Sequence, residues 1–374
     1  MALLSGGMPF KALLAGAAAV AWMLLAESAL GATVAFSNET FVYEAAVGEI
    51  NDVSIVEAPE GVFTIADLNA TITPQAGECT SISPSAVRCE APFAGIQVFT
   101  KDGADSVDVA SVYAVVHGGA GPDTLRGARS LPTLFGGPGD DRLIGRLGIQ
   151  ELRGGPGADS LDGGRGQDRL RGGPGTDVIA GGPGRDVAEY HDHRSPVWIS
   201  LDGRANDGAA GEGDWIRTDV ENASGSRGPT TFIGNAGPNT FWCGNEEDVV
   251  RAGAGNDLVY AWGGPDIVLG GPGNDALFGY GGGDVIRGGA GNDFIYGMWG
   301  EDDLGGGRGG DRVWAGVQND VLRGGPGRDR LYGRWGADVF YTRDRSQDRV
   351  SGGAADDRAR VDRIDAVWSI EALF

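Results

Sequence analysis

The chain has few of the residues on which most catalytic centres depend. Its 374 residues include three histidines, three cysteines and only two lysines, Lys11 and Lys101. A phosphate-binding loop that ends in Gly-Lys-Ser or Gly-Lys-Thr is excluded, because neither lysine stands in that context. The sequences HExxH and GxSxG, which mark zinc proteases and many lipases, are also absent. We therefore expect a protein that is not an enzyme.

Positive charge is scarce as well. The chain has 30 basic residues against 52 acidic ones, and its net charge is −22. Nucleic acid is not an expected partner, because phosphate binding needs clustered lysine and arginine. An acidic chain of this kind favours cations as ligands. Beyond the N-terminal 31 residues no apolar run is long enough to span a bilayer, so stable membrane insertion is not expected.

Residues 1–31 have the pattern of a secretion signal. Lys11 supplies a positive charge, an apolar run follows over residues 12–26, and Ala29 and Gly31 are small residues suited to a cleavage site. The alternative is a membrane anchor, for which this run is short. We expect a secreted, extracellular protein. In that environment Cys79 and Cys89, ten residues apart, are expected to form a disulfide.

Glycine, in contrast, is abundant at 68 residues and recurs with a period of nine. The stretch GGAGNDFIY at 288–296 is preceded eighteen residues earlier by GGPGNDALF and followed thirty-six residues later by GGPGRDRLY. Eight nonapeptides run without a break over residues 118–189, and twelve over residues 234–341. In the second run the sixth residue is aspartate in eleven copies of twelve, and the eighth is always apolar. This regularity predicts a repeat architecture.

Each part of the nonapeptide has a physical role. A glycine-rich hexapeptide that ends in aspartate suits a tight turn, because glycine reaches positive φ without strain. The next three residues alternate as a short strand does, with the apolar eighth residue pointing inward. Two nonapeptides make one coil of eighteen residues, and stacked coils bury a continuous apolar column. Equivalent aspartates then stack about 4.8 Å apart, where they repel unless cations such as Ca²⁺ lie between them.

At this point the chain resembles the RTX, or hemolysin-type, calcium-binding nonapeptide-repeat proteins of bacteria, whose repeat has this form. Copies that carry the resemblance include GGPGADSLD, GGRGQDRLR, GGPGNDALF and GGAGNDFIY. The resemblance implies an all-β fold, a right-handed parallel β-roll with several Ca²⁺ ions between successive turns. The aspartates expected to hold these ions are Asp105, Asp123, Asp141, Asp159, Asp168, Asp177, Asp186, Asp248, Asp257, Asp266, Asp275, Asp284, Asp293, Asp302, Asp311, Asp320, Asp329 and Asp338.

The two edges of the roll are not equivalent in sequence. In the first array one edge carries Ala114, Pro132 and Gln150 where the other carries aspartate, so we expect it to hold fewer ions. In the second array one edge has Trp262, Tyr280, Trp299 and Trp335 inside its turns. An outward aromatic ladder lies beside them. It consists of Trp242, Tyr260, Phe278, Tyr296, Trp314 and Tyr332.

Two interpretations of this ladder stay open. Aromatic pairs on neighbouring strands stabilise a sheet, and this is the simpler interpretation. The second is a face for a glycan, a cell wall or a protein partner, as in a cell-surface adhesin. The leading functional expectation is a secreted, non-catalytic calcium-binding β-roll, and the adhesin is the alternative.

The remaining segments define the domain boundaries. Residues 32–95 contain short β-like runs and form a small β-domain or the first irregular coils; residues 96–189 form the first array and 234–341 the second. The insertion, 190–233, predicts two strands around an acidic loop. Asp202, Asp207, Glu212 and Asp214 form one more ion site or, more simply, a solvated hairpin. His191 and His193 are too few for a zinc site. Residues 342–374 are expected to leave the repeat and cap the roll.

Overall fold

The computed structural model describes residues 31–374 apart from 38–39, 59–61, 76–78, 91–94, 111–112 and 128–131. The signal predicted for residues 1–31 therefore lies, but for its last residue, outside the described residues. Within the described ranges the regular elements are β-strands, and no helix there has the length and apolar character needed to cross a bilayer. The strands wind into a parallel solenoid of about 15 coils, which confirms the predicted fold.

The N-terminal part is a pair of antiparallel sheets that continue the two sheets of the solenoid. β1 and β2 pair antiparallel, and β2 pairs in parallel with β8 of the first coil; β3 likewise pairs with β4 and with β9. The segment therefore covers the open end of the roll. Its strands are β1 (Ala32–Ser37), β2 (Thr40–Glu44), β3 (Asp52–Ala58), β4 (Val62–Asp67), β5 (Ile72–Pro74), β6 (Cys79–Ser83) and β7 (Ala86–Glu90), and the next two are β8 (Gly95–Phe99) and β9 (Ser106–Val109).

The first block alternates between two parallel sheets. Sheet 1 begins at β8 and sheet 2 at β9, and each later strand pairs with the strand one coil, or eighteen residues, before it, as Leu143 does with Leu125. The remaining strands of this block are β10 (Ala114–His117), β11 (Thr124–Arg126), β12 (Thr133–Phe135), β13 (Arg142–Ile144), β14 (Glu151–Arg153), β15 (Ser160–Asp162), β16 (Arg169–Arg171), β17 (Val178–Ala180) and β18 (Val187–Glu189).

The insertion opens sheet 2 but leaves sheet 1 continuous. β22 pairs in parallel with β18 and β24, so sheet 1 runs on; in sheet 2 the antiparallel strands β19 and β20 stand between β21 and β23. The segment is thus a wedge built into the solenoid, and not the solvated hairpin expected from the sequence. Its strands are β19 (Val197–Ser200), β20 (Ala205–Ala209), β21 (Asp214–Ile216), β22 (Asn222–Ser224) and β23 (Thr230–Ile233).

The second block has longer strands than the first, because many of its strands on both sheets continue into the turn that follows them. Parallel pairing again follows the eighteen-residue coil, as between Leu277 and Val259. Its strands are β24 (Thr240–Gly244), β25 (Val249–Arg251), β26 (Leu258–Trp262), β27 (Ile267–Pro272), β28 (Ala276–Gly281), β29 (Val285–Ala290), β30 (Phe294–Trp299), β31 (Asp303–Arg308), β32 (Arg312–Val317), β33 (Val321–Arg323), β34 (Arg330–Trp335) and β35 (Val339–Tyr341).

The C-terminal segment continues the solenoid beyond residue 341, where the sequence predicted that the repeat ends. The pairing distance along the chain is here one residue more than eighteen: Leu331 pairs with Val350, and Phe340 with Ala359. The extra residue breaks the period of nine, which hid these coils. Their strands are β36 (Arg349–Ala354), β37 (Arg358–Arg360), β38 (Ala366–Trp368) and β39 (Ala372–Leu373).

The core is a column of the eighth residues of the nonapeptides. Leu277, Ile286 and Ile295 are fully buried, as are their equivalents in neighbouring coils. In each strand the second residue of the first three is buried and the residues on either side of it point outward, which is the alternation expected for a short strand. One such residue per nonapeptide has little to pack against by itself, so stability comes from stacking coil on coil.

Leu277→Ala should lower the free energy of unfolding by about 2–5 kcal/mol, because it opens a cavity in the closed core. Leu269→Ala, eight residues earlier, removes the same atoms from an outward position that is 36% exposed, and should cost much less. Denaturant titration of both variants in saturating Ca²⁺ measures the difference. Equal losses would contradict this picture of the core.

Candidate metal sites

The predicted aspartates fall into two columns, one at each edge of the solenoid. Edge 1 comprises the turns that lead from sheet 1 to sheet 2, and edge 2 those that lead from sheet 2 to sheet 1. All eighteen residues are buried at the last position of their turn, directly before a strand. Edge 1 holds Asp105, Asp123, Asp141, Asp159, Asp177, Asp248, Asp266, Asp284, Asp302, Asp320 and Asp338; edge 2 holds Asp168, Asp186, Asp257, Asp275, Asp293, Asp311 and Asp329.

Neighbouring aspartates in a column are joined by hydrogen bonds. The backbone N–H of Asp275 donates to Oδ1 of Asp293 at 2.9 Å, and the N–H of Asp293 donates to Oδ1 of Asp311 at 2.8 Å. The same bond recurs along both columns at 2.8 to 2.9 Å. One carboxylate oxygen of each residue therefore fastens its coil to the coil before it.

The second carboxylate oxygen has no such partner. Oδ2 of every one of the eighteen predicted aspartates is buried and accepts no hydrogen bond. A buried carboxylate oxygen without a partner costs free energy, and natural proteins rarely leave one in that state. A whole column of them indicates a missing positive group.

Backbone oxygens lie close to these carboxylates. A Cβ placed on Gly163, the first residue of its turn, would lie 2.7 Å from Oδ2 of Asp168 and 2.8 Å from the carbonyl oxygen of Gly181 in the next coil. Asp275 and Asp293 have the same neighbours at Gly270 and Gly288. Glycine at this position leaves the space between carboxylate and carbonyl open.

This donor set suits calcium better than zinc. In the part of the chain that the structure describes, no three side chains of histidine, cysteine, aspartate or glutamate converge on one point. A cation here would have to use carbonyl oxygens together with a carboxylate from each turn. Such all-oxygen, multi-ligand coordination is preferred by Ca²⁺, whereas structural zinc requires sulfur or nitrogen ligands.

Burial changes the acidity of these groups. It raises the pKa of Asp293 to about 7 and that of Asp177 to about 8, and neighbouring aspartates of the column add to the rise. The cause is desolvation, which disfavours the charged form. Protons and cations thus compete for the same oxygens.

One coil that the sequence missed extends both columns. Asp348 continues edge 2 and Asp357 continues edge 1, each with a buried, unpaired Oδ2. The N–H groups of Asp329 and Asp338 donate to them at 2.9 and 2.8 Å. A search that allowed one inserted residue in the nonapeptide frame would have found both.

At the insertion, hydrogen-bond donors of the protein occupy the carboxylate oxygens that a cation would bind elsewhere in the columns. Oδ1 of Asp214 accepts the N–H of Asp177 at 2.9 Å, as a column member would, but its Oδ2 accepts the hydroxyl of the buried Tyr190 at 2.9 Å. Both oxygens of Asp207 accept backbone N–H groups, those of Ser200 and Ile216. The column on edge 1 is therefore interrupted by carboxylates that need no cation.

The same interruption occurs on edge 2. The N–H of Asp186 donates to Glu221, and the next position is Asn239, whose amide donates at 2.8 Å to the backbone oxygen of Glu221. The four acids for which the sequence left an extra ion site open do not converge on one point in the described structure. Glu212 contacts His193 at 3.1 Å, Asp207 and Asp214 bond as above, and Asp202 accepts a turn N–H.

His193 is a charged link within the insertion. Its Nδ1 contacts Asp192 at 3.0 Å and its Nε2 contacts Glu212 at 3.1 Å. The hydrogen bond with Asp192 is the main cause that raises the pKa of His193 to about 9, against the effect of burial. The sequence offered no signal for this pairing, because Glu212 lies nineteen residues away.

The aromatic ladder lies on the outer face of sheet 1. Tyr260 and Phe278 stack with ring centroids 5.4 Å apart, and Trp314 and Tyr332 with centroids 5.3 Å apart. Stacked rings turn their faces toward one another, which favours the role in sheet stabilisation.

The cysteines are where the sequence predicted a disulfide. Cys79 and Cys89 form a disulfide that joins β6 to β7, while Cys243 is a buried free thiol.

The turns beside the ladder are strained. Trp262, Tyr280, Met298 and Arg334 stand at the second turn position with φ of 75°, 72°, 83° and 84°. Glycine occupies this position on edge 2, and a side chain there costs about 1–2 kcal/mol per residue. Such outliers persist where a side chain has a use that offsets the cost.

Asp293→Asn should raise the calcium concentration needed for folding several-fold. Asparagine keeps an oxygen for the N–H of Asp275 but places an uncharged NH₂ where a cation would bind. Asp186→Asn, at the end of a short column, should raise the midpoint less. Circular dichroism recorded against free Ca²⁺ gives the folding midpoint of the wild type and of both variants. Asp356→Asn, at an exposed position, is the control. Equal midpoints for the two buried variants would mean that sites act independently.

Without Ca²⁺ the fold should gain stability as the pH falls from 8 to 5. The folded pKa values of the column aspartates are raised from 3.8 to between about 6 and 8. Folding therefore binds protons, so the stability is fully present below the unfolded pKa and is lost as the pH rises through the folded values. Circular dichroism in EDTA at both pH values tests this. In a calcium titration the midpoint of folding should instead rise as the pH falls, because protons compete with Ca²⁺ for the same oxygens.

Comparison with known proteins supports the assignment of the aspartate columns to calcium-binding repeats. The family described as RTX calcium-binding nonapeptide repeat (4 copies) matches residues 117–149, 153–188, 242–277, 278–313 and 314–344. A search of curated proteins finds no match. The matched residues carry both aspartate columns on either side of the insertion. Over the matched residues the chain consists of RTX-type nonapeptide repeats, wound into a parallel β-roll.

Proposed function

We propose that this protein is a secreted, non-catalytic β-roll that folds when it binds several Ca²⁺ ions outside the cell. The observation that carries the proposal is the row of buried Oδ2 atoms without hydrogen-bond partners, seven before the insertion and thirteen after it. Each needs a positive partner for the fold to be stable. In the absence of cations the columns repel, and ordering so many glycines is costly.

The environment of the protein would set its state. Extracellular calcium modules bind in the range of about 10⁻⁴ to 10⁻³ M, well above the calcium level inside cells. A chain with this affinity would stay unfolded until exported. Each column aspartate would contribute ligands to the ion sites above and below it. Binding of Ca²⁺ should therefore be cooperative, and folding should respond to calcium as a switch.

The lack of the common catalytic motifs supports a non-catalytic role. So does the use of the buried acids, since those of the solenoid stand in regular columns and those of the insertion are hydrogen-bonded. Secretion rests on the signal pattern of residues 1–31 and on the disulfide between Cys79 and Cys89, which an oxidising compartment favours.

A cell-surface adhesin or glycan-binding protein is the second candidate. The ladder itself favours it little, because its rings stack on each other. The next row outward is different: Trp299 and Trp335 are 61% and 59% exposed, and neither has a ring partner within the described residues. Exposed tryptophans of this kind are typical of binding surfaces.

Removal of Ca²⁺ with EDTA at neutral pH should abolish the β-sheet circular dichroism signal, and added Ca²⁺ should restore it with several ions bound per chain. Hydrogen exchange at intermediate Ca²⁺ should protect residues 234–354 before residues 96–189, because the first block lacks carboxylates at Ala114, Pro132 and Gln150. A Mg²⁺ titration is the control for ionic strength. An unchanged spectrum and melting temperature in EDTA would refute the proposal.

A further inference from the structure

The outer face of sheet 1 carries a column of arginines that the aspartate columns do not involve. Arg312, Arg330 and Arg349 are the first residues of β32, β34 and β36. These three strands are adjacent, and the arginines lie opposite one another in the parallel register. Strands in a sheet are about 4.8 Å apart, and all three side chains are exposed.

This column has no negative partner. Among the described residues no carboxylate oxygen lies within 4.0 Å of any of the three guanidinium groups. Elsewhere on the roll, arginines in similar columns are paired: Arg287 and Arg323 flank Asp303 on sheet 2 and form ion pairs with it. Like charges directly opposite each other destabilise a sheet, so an anion bound along the unpaired column would stabilise it.

Apolar surface lies beside the arginines. Trp314 and Tyr332 occupy the next outward position of β32 and β34, and Trp299 and Trp335 form a further row, with Val317 between them in the register. The two tryptophans are therefore two strands, or about 9.6 Å, apart. Charged and aromatic groups thus run side by side along the axis of the roll.

A cleft marks the end of the arginine column. It has a volume of about 250 Å³ and is lined by Arg328, Arg330, Arg349 and Gln347, together with Asp329 and Ala366. Guanidinium groups bind carboxylate, sulfate and phosphate with paired hydrogen bonds. Three donors from arginine and one from glutamine can surround one anionic group here.

We propose that this face of sheet 1 binds a linear acidic polysaccharide. Its carboxylate or sulfate groups pair with Arg312, Arg330 and Arg349, and its sugar rings lie against Trp299 and Trp335. The match lies in repetition: a polymer with a charge on regularly spaced sugars meets a column of regularly spaced arginines on a flat sheet. The strained Arg334, whose guanidinium lies 5.4 Å from the ring of Tyr296, adds positive charge to the same face.

This ligand fits better than the alternatives. A nucleic acid has a higher charge density and is repelled more strongly by a chain of net charge −22. A second copy of the chain would bury tryptophan, but none of the columns described above for the residues that the structure covers presents exposed acids at the same spacing. The proposal deepens the adhesin candidate and rests on a folded roll, so every measurement is made in Ca²⁺ with folding checked by circular dichroism.

The experiment measures binding of the full chain to polygalacturonate, dextran sulfate and neutral dextran, followed by tryptophan fluorescence. The wild type should bind the two acidic polymers and not neutral dextran, with affinity that falls as salt rises. The triple variant Arg312→Gln, Arg330→Gln, Arg349→Gln should lose at least about tenfold in affinity. The matched control, Arg251→Gln, Arg358→Gln, Arg360→Gln, removes equal charge from exposed positions on sheet 2 and should change binding little.

A tryptophan variant and competing ligands complete the experiment. Trp299→Ala with Trp335→Ala should weaken binding and abolish the fluorescence change while the fold is kept. If the triple variant does not fold, Arg330→Gln is compared with Arg358→Gln instead. Equal losses in the two sets of arginine variants, tighter binding of single-stranded DNA than of either acidic polymer, or self-association without polymer binding would each overturn the proposal. A wild type that folds with Ca²⁺ but binds neither acidic polymer would overturn it and leave the calcium-dependent roll intact.

Discussion

The structure depends on one interaction, repeated in nearly every coil, in which a buried aspartate has a protein partner for only one of its two oxygens. Each column aspartate has one oxygen that fastens it to the preceding coil and one that faces buried space without a partner. The first oxygen sets the stacking of coils, and the second makes that stacking depend on a cation. Glycine at the start of the turn keeps the space open, and the single apolar residue per nonapeptide adds a core too thin to hold the coil by itself. Cation binding and folding are therefore one process.

Much of this could be predicted from the sequence, for a physical reason. A solenoid repeats the same local problem, so a residue that solves it recurs at the same place, and Asp293 or Leu277 could be assigned by counting. The counting failed where the chain changed its length per coil. One residue inserted between Asp338 and Asp348 shifted the frame and hid the last two column aspartates, although both stand in the same columns. The prediction for the insertion failed for a different reason. Tyr190 and Asp214 are partners only because the wedge brings them together, and no spacing in the sequence indicates that contact.

The insertion divides the roll into two blocks with different electrostatics. On both sides of it the columns end in groups that are satisfied by hydrogen bonds, through Tyr190 and Asp214 on edge 1 and through Asn239 and Glu221 on edge 2. On edge 1, a cation bound on one side therefore finds no free carboxylate oxygen on Asp207 or Asp214 to share across the joint. Turns with glycine at both the second and the fourth position occur on both edges near Asp177 and Asp186, but only on edge 2 in the second block. The aromatic ladder lies in that second block, next to the edge with the strained turns, whereas the arginine column borders edge 2 and continues into β36.

The strict alternation of the two sheets has a consequence for how such a chain can change in evolution. A nonapeptide is half a coil, so gain or loss of one copy would send every later strand to the opposite sheet. The aromatic and arginine columns would then divide, with part on each side of the roll, although every residue of the repeat would remain well suited to its local conformation. Gain or loss of two copies, in contrast, only lengthens or shortens the same surface. The roll can thus grow in whole coils with its faces preserved, and its parity is inherited together with its binding surface.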